Sequence, residues 1–443
     1  MSVVNAIPLI AAGDDGYNLT RSLRFRSSAS AYLNRTPASA GNRRTWTYST
    51  WVKLGSLSTA LNLLYAYSAD TDSGLCQLSY QSNQLRIQGI SASFLMVSTA
   101  VYRDPSAWYH VVYSVDTTQA TAANRVRVYV NGVEITAWST NAPPPQNTDT
   151  AINNNVAHNI GRNTRNSNDY FDGYMAEVNL IDGQALTPSS FGASSPYNQW
   201  LPKKYSGTYG TNGFYLPFTN NASAATLGND FSGNSNTWTT NNISVTTGST
   251  YDSMTDVPTL TSATAANYCT LNPLNNSGGS TIVDGNLGVT TASSGFGRVV
   301  GTIAVSSGKW YWEVTPTNTA TDAAIGIAGA SEFTAAYVGQ TAQSFGYFAS
   351  NGYKSNNASS AAYGATYTTN DIIGVALDLD AGTLVFYKNN TSQGTAYSSL
   401  SGSFVPAISD GGTGTSAFVS NFGQRPFSYT PPTGFLALNT FNL

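Results

Sequence analysis

The segment Met175-Ala-Glu-Val-Asn-Leu-Ile-Asp182 carries two carboxylates, Glu177 and Asp182, of the kind that could do chemistry. Hydrolysis of a glycosidic bond needs such a pair about 5–9.5 Å apart across a cleft. In an extended strand side chains alternate between faces, so two residues five apart point opposite ways, and the pair fails unless a bulge intervenes. Glu177 is therefore expected on the polar face of a strand. A Ser-His-Asp arrangement would need an imidazole exposed beside a nucleophile. His110 lies among Tyr109, Val111 and Val112, and His158 in another strand-like run, which predicts sheet-facing rings rather than bases. No catalytic residue is assigned, and the chain is expected to be no enzyme.

Calcium is the candidate cofactor. Ser68-Ala-Asp-Thr-Asp-Ser-Gly74 places Asp70 and Asp72 on one loop, with Asp169 or Asp172 as a further carboxylate source. The pattern also suits a solvated turn, and no EF-hand spacing is present. Trp310 and Trp312 lie two apart and share a face, where they could stack on a sugar, but buried aromatics more commonly build a core. What remains for recognition is loop surface, because a rigid scaffold positions loops while their backbone stays exposed. Asn163, Arg165, Asn166, Asn168 and Tyr170 bring amide, guanidinium and phenol groups together, as neutral glycans require. Asn351, Tyr353 and Lys354, with Asp410 in the 410–415 segment, are the candidates further along.

The elements that must hold these residues are strands. Short alternating segments separated by turns run through Thr45–Leu54, Trp108–Asp116, Thr383–Lys388 and others. Asn131-Gly132 between Val126-Arg-Val-Tyr-Val130 and Val133-Glu-Ile135 is a strong hairpin signal, since both positions accept positive φ. No convincing three-turn helix appears; 187–191 could form one short turn. The pattern predicts an almost wholly β protein; that this all-β chain forms two antiparallel β-sandwich (jelly-roll) domains in tandem, joined by a Ser/Thr/Asn/Gly-rich connector, is what the family resemblances given below imply. The boundaries read as an N-terminal docking arm 1–21, a first sandwich 22–195, a connector with sparse strands 196–283 and a second sandwich 284–443.

The chain has 443 residues with 20 Lys plus Arg, 23 Asp plus Glu and a net charge of −3, and only 10% of it is charged. That is well under the usual level of about 25%. With no basic cluster, nucleic acid and anionic membrane are excluded as expected partners. No apolar stretch approaches a membrane span, and no ordinary signal peptide is seen. Cys76 and Cys269 are too few and too far apart for a disulfide framework.

Trp46-Thr-Tyr-Ser-Thr-Trp-Val52, Trp108-Tyr-His-Val-Val112 with Asp116, Val128-Tyr-Val-Asn-Gly132, Asn159-Ile-Gly161 and Phe171-Asp-Gly-Tyr-Met-Ala-Glu-Val178 leading to Leu186-Thr-Pro188 resemble the laminin G-like or concanavalin A-like group. Gly308-Lys-Trp-Tyr-Trp-Glu-Val314, Ile325-Gly-Ile327, Ser344-Phe-Gly-Tyr347, Asp371-Ile-Ile-Gly-Val375, Leu384-Val-Phe-Tyr-Lys-Asn389, Phe404-Val-Pro-Ala407 and Asn421-Phe-Gly-Gln-Arg-Pro-Phe427 resemble a SPRY domain. Asn212-Gly-Phe-Tyr-Leu-Pro-Phe218, Asp230-Phe-Ser-Gly233 and Trp238 resemble a segment that joins these two modules in bacteriophage virion proteins.

These resemblances imply a tail fibre or receptor-binding protein of the virion, made in the host cytoplasm without a signal peptide. It would attach to a host cell-surface glycan or protein and dock on other virion proteins through its arm. A trimer is the oligomer such fibres commonly form. The alternatives are a capsid-decoration or tail structural protein and a polysaccharide-degrading tail enzyme.

Overall fold

A computed structural model describes residues 17–57, 60–68, 74–89, 93–165, 169–292, 296–332, 336–412 and 414–443. Among them every regular element is a strand or a short 3-10 turn. The described residues divide into two units, a first within 17–245 and 252–261 and a second within 246–251 and 262–443.

The first unit is a sandwich of two eight-stranded antiparallel sheets. One runs Val133–Glu134, Val126–Val130, Trp108–Asp116, Thr45–Leu54, Gly173–Asp182, Ser22–Phe25, Ser253–Met254, with Phe214–Leu216 also paired to Gly173–Asp182. The other runs Trp138–Ala142, Leu95–Val101, Gln84–Gly89, Leu75–Gln81, Leu61–Tyr67, Ala157–Ile160, Tyr32–Arg35, Thr239–Asn241. Alternation decides which side chains meet between the sheets: Trp46, Tyr48, Val52 and Leu54 from one strand and Val111, Tyr113 and Val115 from its neighbour enter one core cluster with Leu63, Leu78 and Ile87. Residues 131 and 132 turn the hairpin with φ of 48° and 81°, the conformation that Asn-Gly was expected to supply.

The outer face of the first sheet is not solvated. Trp51, Lys53 and Ile181 are buried there, beneath chain from 186–209 and 252–261. Residues 196–283, expected as a connector with sparse strands, supply a few short strands to both units. Phe214–Leu216, Thr239–Asn241 and Ser253–Met254 join the first sandwich, whereas Leu271–Asn276 and Thr281–Val283 join the second. The positions of most of these strands are not legible in the sequence, because strands of two or three residues leave almost no periodicity to read.

The second unit has a seven-stranded sheet (Leu271–Asn276, Gly297–Gly301, Phe404–Asp410, Ala324–Gly329, Ser344–Phe348, Tyr353–Asn356, Ser359–Ala362) and an eight-stranded one centred on Lys309–Asn318 and Ile373–Asp378. Trp310 and Trp312 are both buried, which removes them as a sugar platform. Cys76 and Cys269 are buried thiols outside any disulfide, one in each unit.

Candidate functional site

Glu177 stands where the strand Gly173–Asp182 departs from regular alternation. Met175 enters the core as an odd-numbered position, but Val178 and Leu180 enter it as even ones. The pairing with Thr45–Leu54 shifts register between Ala176 and Asn179, so three steps on one strand oppose two on the other, and Glu177 has φ of 52°. This is a β-bulge with the extra residue in the left-handed region, a conformation that costs a non-glycine residue about 1–3 kcal/mol. The bulge keeps Val178 and Leu180 in the core and turns Glu177 to the other face, toward Tyr215.

Three oxygens converge there. Tyr17 Oη donates to Glu177 Oε2 at 2.7 Å, Tyr215 Oη donates to Oε1 at 2.8 Å, and the two phenol oxygens lie 2.7 Å apart. Burial pushes the Glu177 carboxyl up to about 7, against the opposing pull of the two hydroxyls and of Lys204. A cavity of about 250 Å³ opens beside this cluster, walled by Arg21, Lys204 and Phe231 among others. Asp182, in contrast, ends the strand and is absorbed by structure. It accepts from the Asn42 and Asn212 backbone N–H groups and the Asn153 side-chain amide. The bulge exists, and among the described residues the hydrogen-bond partners of the two carboxylates do not overlap.

His110 faces the outer side of its sheet, as expected of a sheet-facing imidazole. It stacks on Trp51 with centroids 4.9 Å apart and accepts a hydrogen bond at Nδ1 from Trp200 Nε1. That bond fixes the tautomer: Nε2 carries the proton and donates to Ser49 Oγ at 2.9 Å. Burial lowers the His110 pKa to about 3. Heteronuclear NMR is expected to show a His110 ring protonated at Nε2 and unchanged between pH 8 and about 5; a signal titrating near pH 6.5 would contradict this geometry. His158 is likewise buried and held neutral, accepting at Nε2 from the Asn153 N–H and donating from Nδ1 to Val156 O.

The loop residues chosen from sequence fall into distinct settings. Arg162 and Tyr170 form a β-bridge, and the Arg162 guanidinium lies 4.6 Å from the Tyr32 ring centroid and 5.8 Å from that of Tyr170. Tyr170 is half-buried against Tyr32 and Arg165 is exposed, whereas Asn163 is buried, its Oδ1 accepting from the Arg165 N–H and its Nδ2 donating to Asp169. Asn166 and Asn168 lie outside the described residues. The surface that results is an aromatic and guanidinium ledge of Tyr32, Arg162 and Tyr170, and Arg165 follows it in the chain with an exposed side chain.

In the second unit Asn351 and Tyr353 are exposed. Lys354 is committed inward, donating to Ala396 O at 2.6 Å with its ammonium over the Tyr363 and Tyr397 rings. Asp410 requires a correction. It is no loop-surface group but the buried last residue of a strand, accepting from Thr291 Oγ1, Ser416 Oγ and the Gly412 N–H.

The proposed calcium ligands Asp70 and Asp72 lie outside the described residues. Of the further carboxylates, Asp172 is buried and accepts from Ser27 Oγ, and Asp169 accepts from Asn163. Among the described residues no group of three His, Cys, Asp or Glu could hold a metal ion.

Two classes of domain are defined by comparison. Residues 27–190 match the Concanavalin A-like lectin/glucanases superfamily, and residues 309–425 match the SPRY domain. The chain is an all-β protein with these two sandwich types in tandem, and that content points to binding and protein interaction. Its relatives include Ran-binding protein 10 of Danio rerio, 28% identical over 137 residues, 30% of this chain and 22% of that protein. Ran-binding protein 9 of Mus musculus is 29% identical over 137 residues, 30% of this chain and 20% of that protein. The chain thus spans about a fifth of the length of these relatives. Among solved structures, the SPRY domain of human HERC1 is similar with a TM-score of 0.32 at 18% identity, covering 34% of this chain and 96% of that one. Stonustoxin gives a TM-score of 0.29 at 22% identity, covering 34% of this chain and 27% of that one.

Proposed function

We propose that this chain is a non-enzymatic attachment protein of a bacteriophage virion, a tail fibre or receptor-binding protein whose first unit grips a host-surface glycan. The observation that carries the reading is the ledge at Arg162–Tyr170. There guanidinium and phenol groups are held on a rigid sandwich, so little conformational entropy is lost when a sugar stacks on them. A surface with few charges and many Ser, Thr and Asn suits a neutral saccharide. The separate settings of Glu177 and Asp182 and the neutral buried histidines support attachment without bond cleavage. The resemblance of the 212–238 segment to one found in phage virion proteins supports the setting, with residues 1–21 docking on other virion proteins and a trimer as the assembly.

A second reading is favoured for the other half of the molecule. The SPRY-domain match over residues 309–425 supports a protein partner for the second unit, which would then contact a neighbouring virion subunit while the first unit binds the host. The test is adsorption of labelled protein to encapsulated bacteria, with reducing-sugar release measured in the same tubes. Adsorption without sugar release is expected; sugar release would make the chain an enzyme, and no adsorption would leave only a structural role.

A further inference from the structure

We infer that the cavity beside Glu177 is a second binding site, for a single acidic sugar residue of the hexuronate type, whose carboxylate is taken by Lys204 and Arg21. Three observations carry this independently of the loop ledge, none of whose residues lines the cavity.

The first is a count of protons. Glu177 Oε2, Tyr17 Oη and Tyr215 Oη, with Glu177 Oε1 closing the circuit, make three short contacts of 2.7, 2.7 and 2.8 Å. Two phenols and an ionised carboxylate bring only two protons to three contacts, so one pair of oxygens would face each other without hydrogen. A neutral carboxylic acid brings the third proton: its O–H donates to one phenol in place of accepting from it, that phenol donates to the other, and the other donates to the acid's carbonyl oxygen, so each of the three contacts carries one hydrogen. The elevated pKa of the buried Glu177 agrees with that reading.

The second is charge. With Glu177 neutral, the ionised side chains lining the cavity are Lys204 and Arg21. Lys204 is exposed and its ammonium has no hydrogen-bond or ion-pair partner among the described residues, and Arg21 spends only Nη1, on Ser253 O at 3.3 Å. The groups facing Glu177 from the elements packed on it are Tyr17, Tyr215, Tyr209 and Lys204. The nearby Asp230 is engaged by the N–H groups of Tyr215, Ser232 and Asn236. A cavity of net positive charge selects an anion.

The third is size and lining. About 250 Å³ lies below the roughly 300–1,000 Å³ of sites for drug-sized ligands. It accommodates one sugar ring, with Phe231, 49% exposed, offering an apolar face and the phenols offering hydroxyl partners.

The test is titration of the full chain with glucuronate, glucose and acetate at pH 6, followed by calorimetry or ligand-observed NMR. Saturable glucuronate binding at least about tenfold tighter than either glucose or acetate is expected, because a charge-assisted contact and a ring contact are each needed. Lys204→Ala, an exposed substitution that leaves the fold intact, should weaken glucuronate by about fivefold or more. Raising the pH to 8.5 should weaken it in the natural chain but not in Glu177→Gln, where the neutral amide stands in for the acid. No saturable glucuronate binding, glucose or acetate binding as tightly, or an unchanged Lys204→Ala variant would each overturn the assignment.

Discussion

Replacing Glu177 by Gln is expected to abolish a pH-dependent share of the first unit's stability worth about 3 kcal/mol, from a shift of the carboxyl from 4.5 to about 7 at about 1.4 kcal/mol per pH unit. The folded pKa is raised, so the folded state holds its proton more tightly than the unfolded chain does. That contribution is complete below about pH 4.5, where both states are protonated, and is lost as the pH rises through about 7. The histidines act in the opposite sense. His110 and His158 have lowered folded pKa values, about 3 and about 4, so their contribution is complete above the unfolded value of 6.5 and falls away as the pH drops below it. The natural chain alone therefore mixes the two trends. The difference between natural and Glu177→Gln unfolding free energies isolates the carboxyl, and it should favour the natural chain at pH 5 by about 3 kcal/mol more than at pH 8.5. Denaturant titration followed by tryptophan fluorescence measures it, since Trp46, Trp51, Trp108, Trp138, Trp200 and Trp238 all lie in the first unit. A pH-independent difference would mean that Glu177 is ionised in the folded state throughout.

The second large effect is expected at Asp256. Lys53 projects from the outer face of its strand, and its ammonium meets Asp256 Oδ2 at 2.8 Å with both side chains excluded from solvent. Trp108 Nε1 donates to the other oxygen at 3.0 Å. Asp256→Ala leaves a buried ammonium without its counter-charge and an indole N–H without its acceptor, a loss of about 3–5 kcal/mol. The double variant Lys53→Met, Asp256→Leu removes both charges, so it should lose less than Asp256→Ala does, because the penalty of the stranded charge disappears. Denaturant midpoints of the two variants check this ordering; an Asp256→Ala midpoint equal to that of the natural chain would show that water reaches Lys53.

Much of the scaffold was legible because strands buried on a face advertise themselves by alternation. Thr45–Leu54, Trp108–Asp116 and Thr383–Lys388 coincide with the elements read from sequence, and Asn131-Gly132 turns its hairpin as its chemistry demands. The ends of strands were harder to place. Asp410 looked like a loop residue, but hydroxyls at Thr291 and Ser416 satisfy its carboxylate within the sheet, and those partners are 119 and 6 residues away.

The cavity at Glu177 was half visible. The phase change from Met175 to Val178 and Leu180 is present in the sequence and marks a bulge, the condition on which alternation failed. What no local pattern could reveal is that Tyr17, 160 residues earlier, and Tyr215, 38 residues later, would close on it. The outer-face burial of Lys53 and Trp51 was equally hidden, since it depends on chain from residues 200 and 256 folding back.

Surface attachment through the Arg162–Tyr170 ledge is tested most directly by binding of labelled natural chain and an Arg165→Ala, Tyr170→Ala variant to encapsulated bacterial cells. The natural chain should bind saturably and the variant about tenfold or more weakly, the loss of a stacked and a charged contact, with its melting temperature within the scatter of the natural chain. Equal adsorption by the two proteins would contradict it.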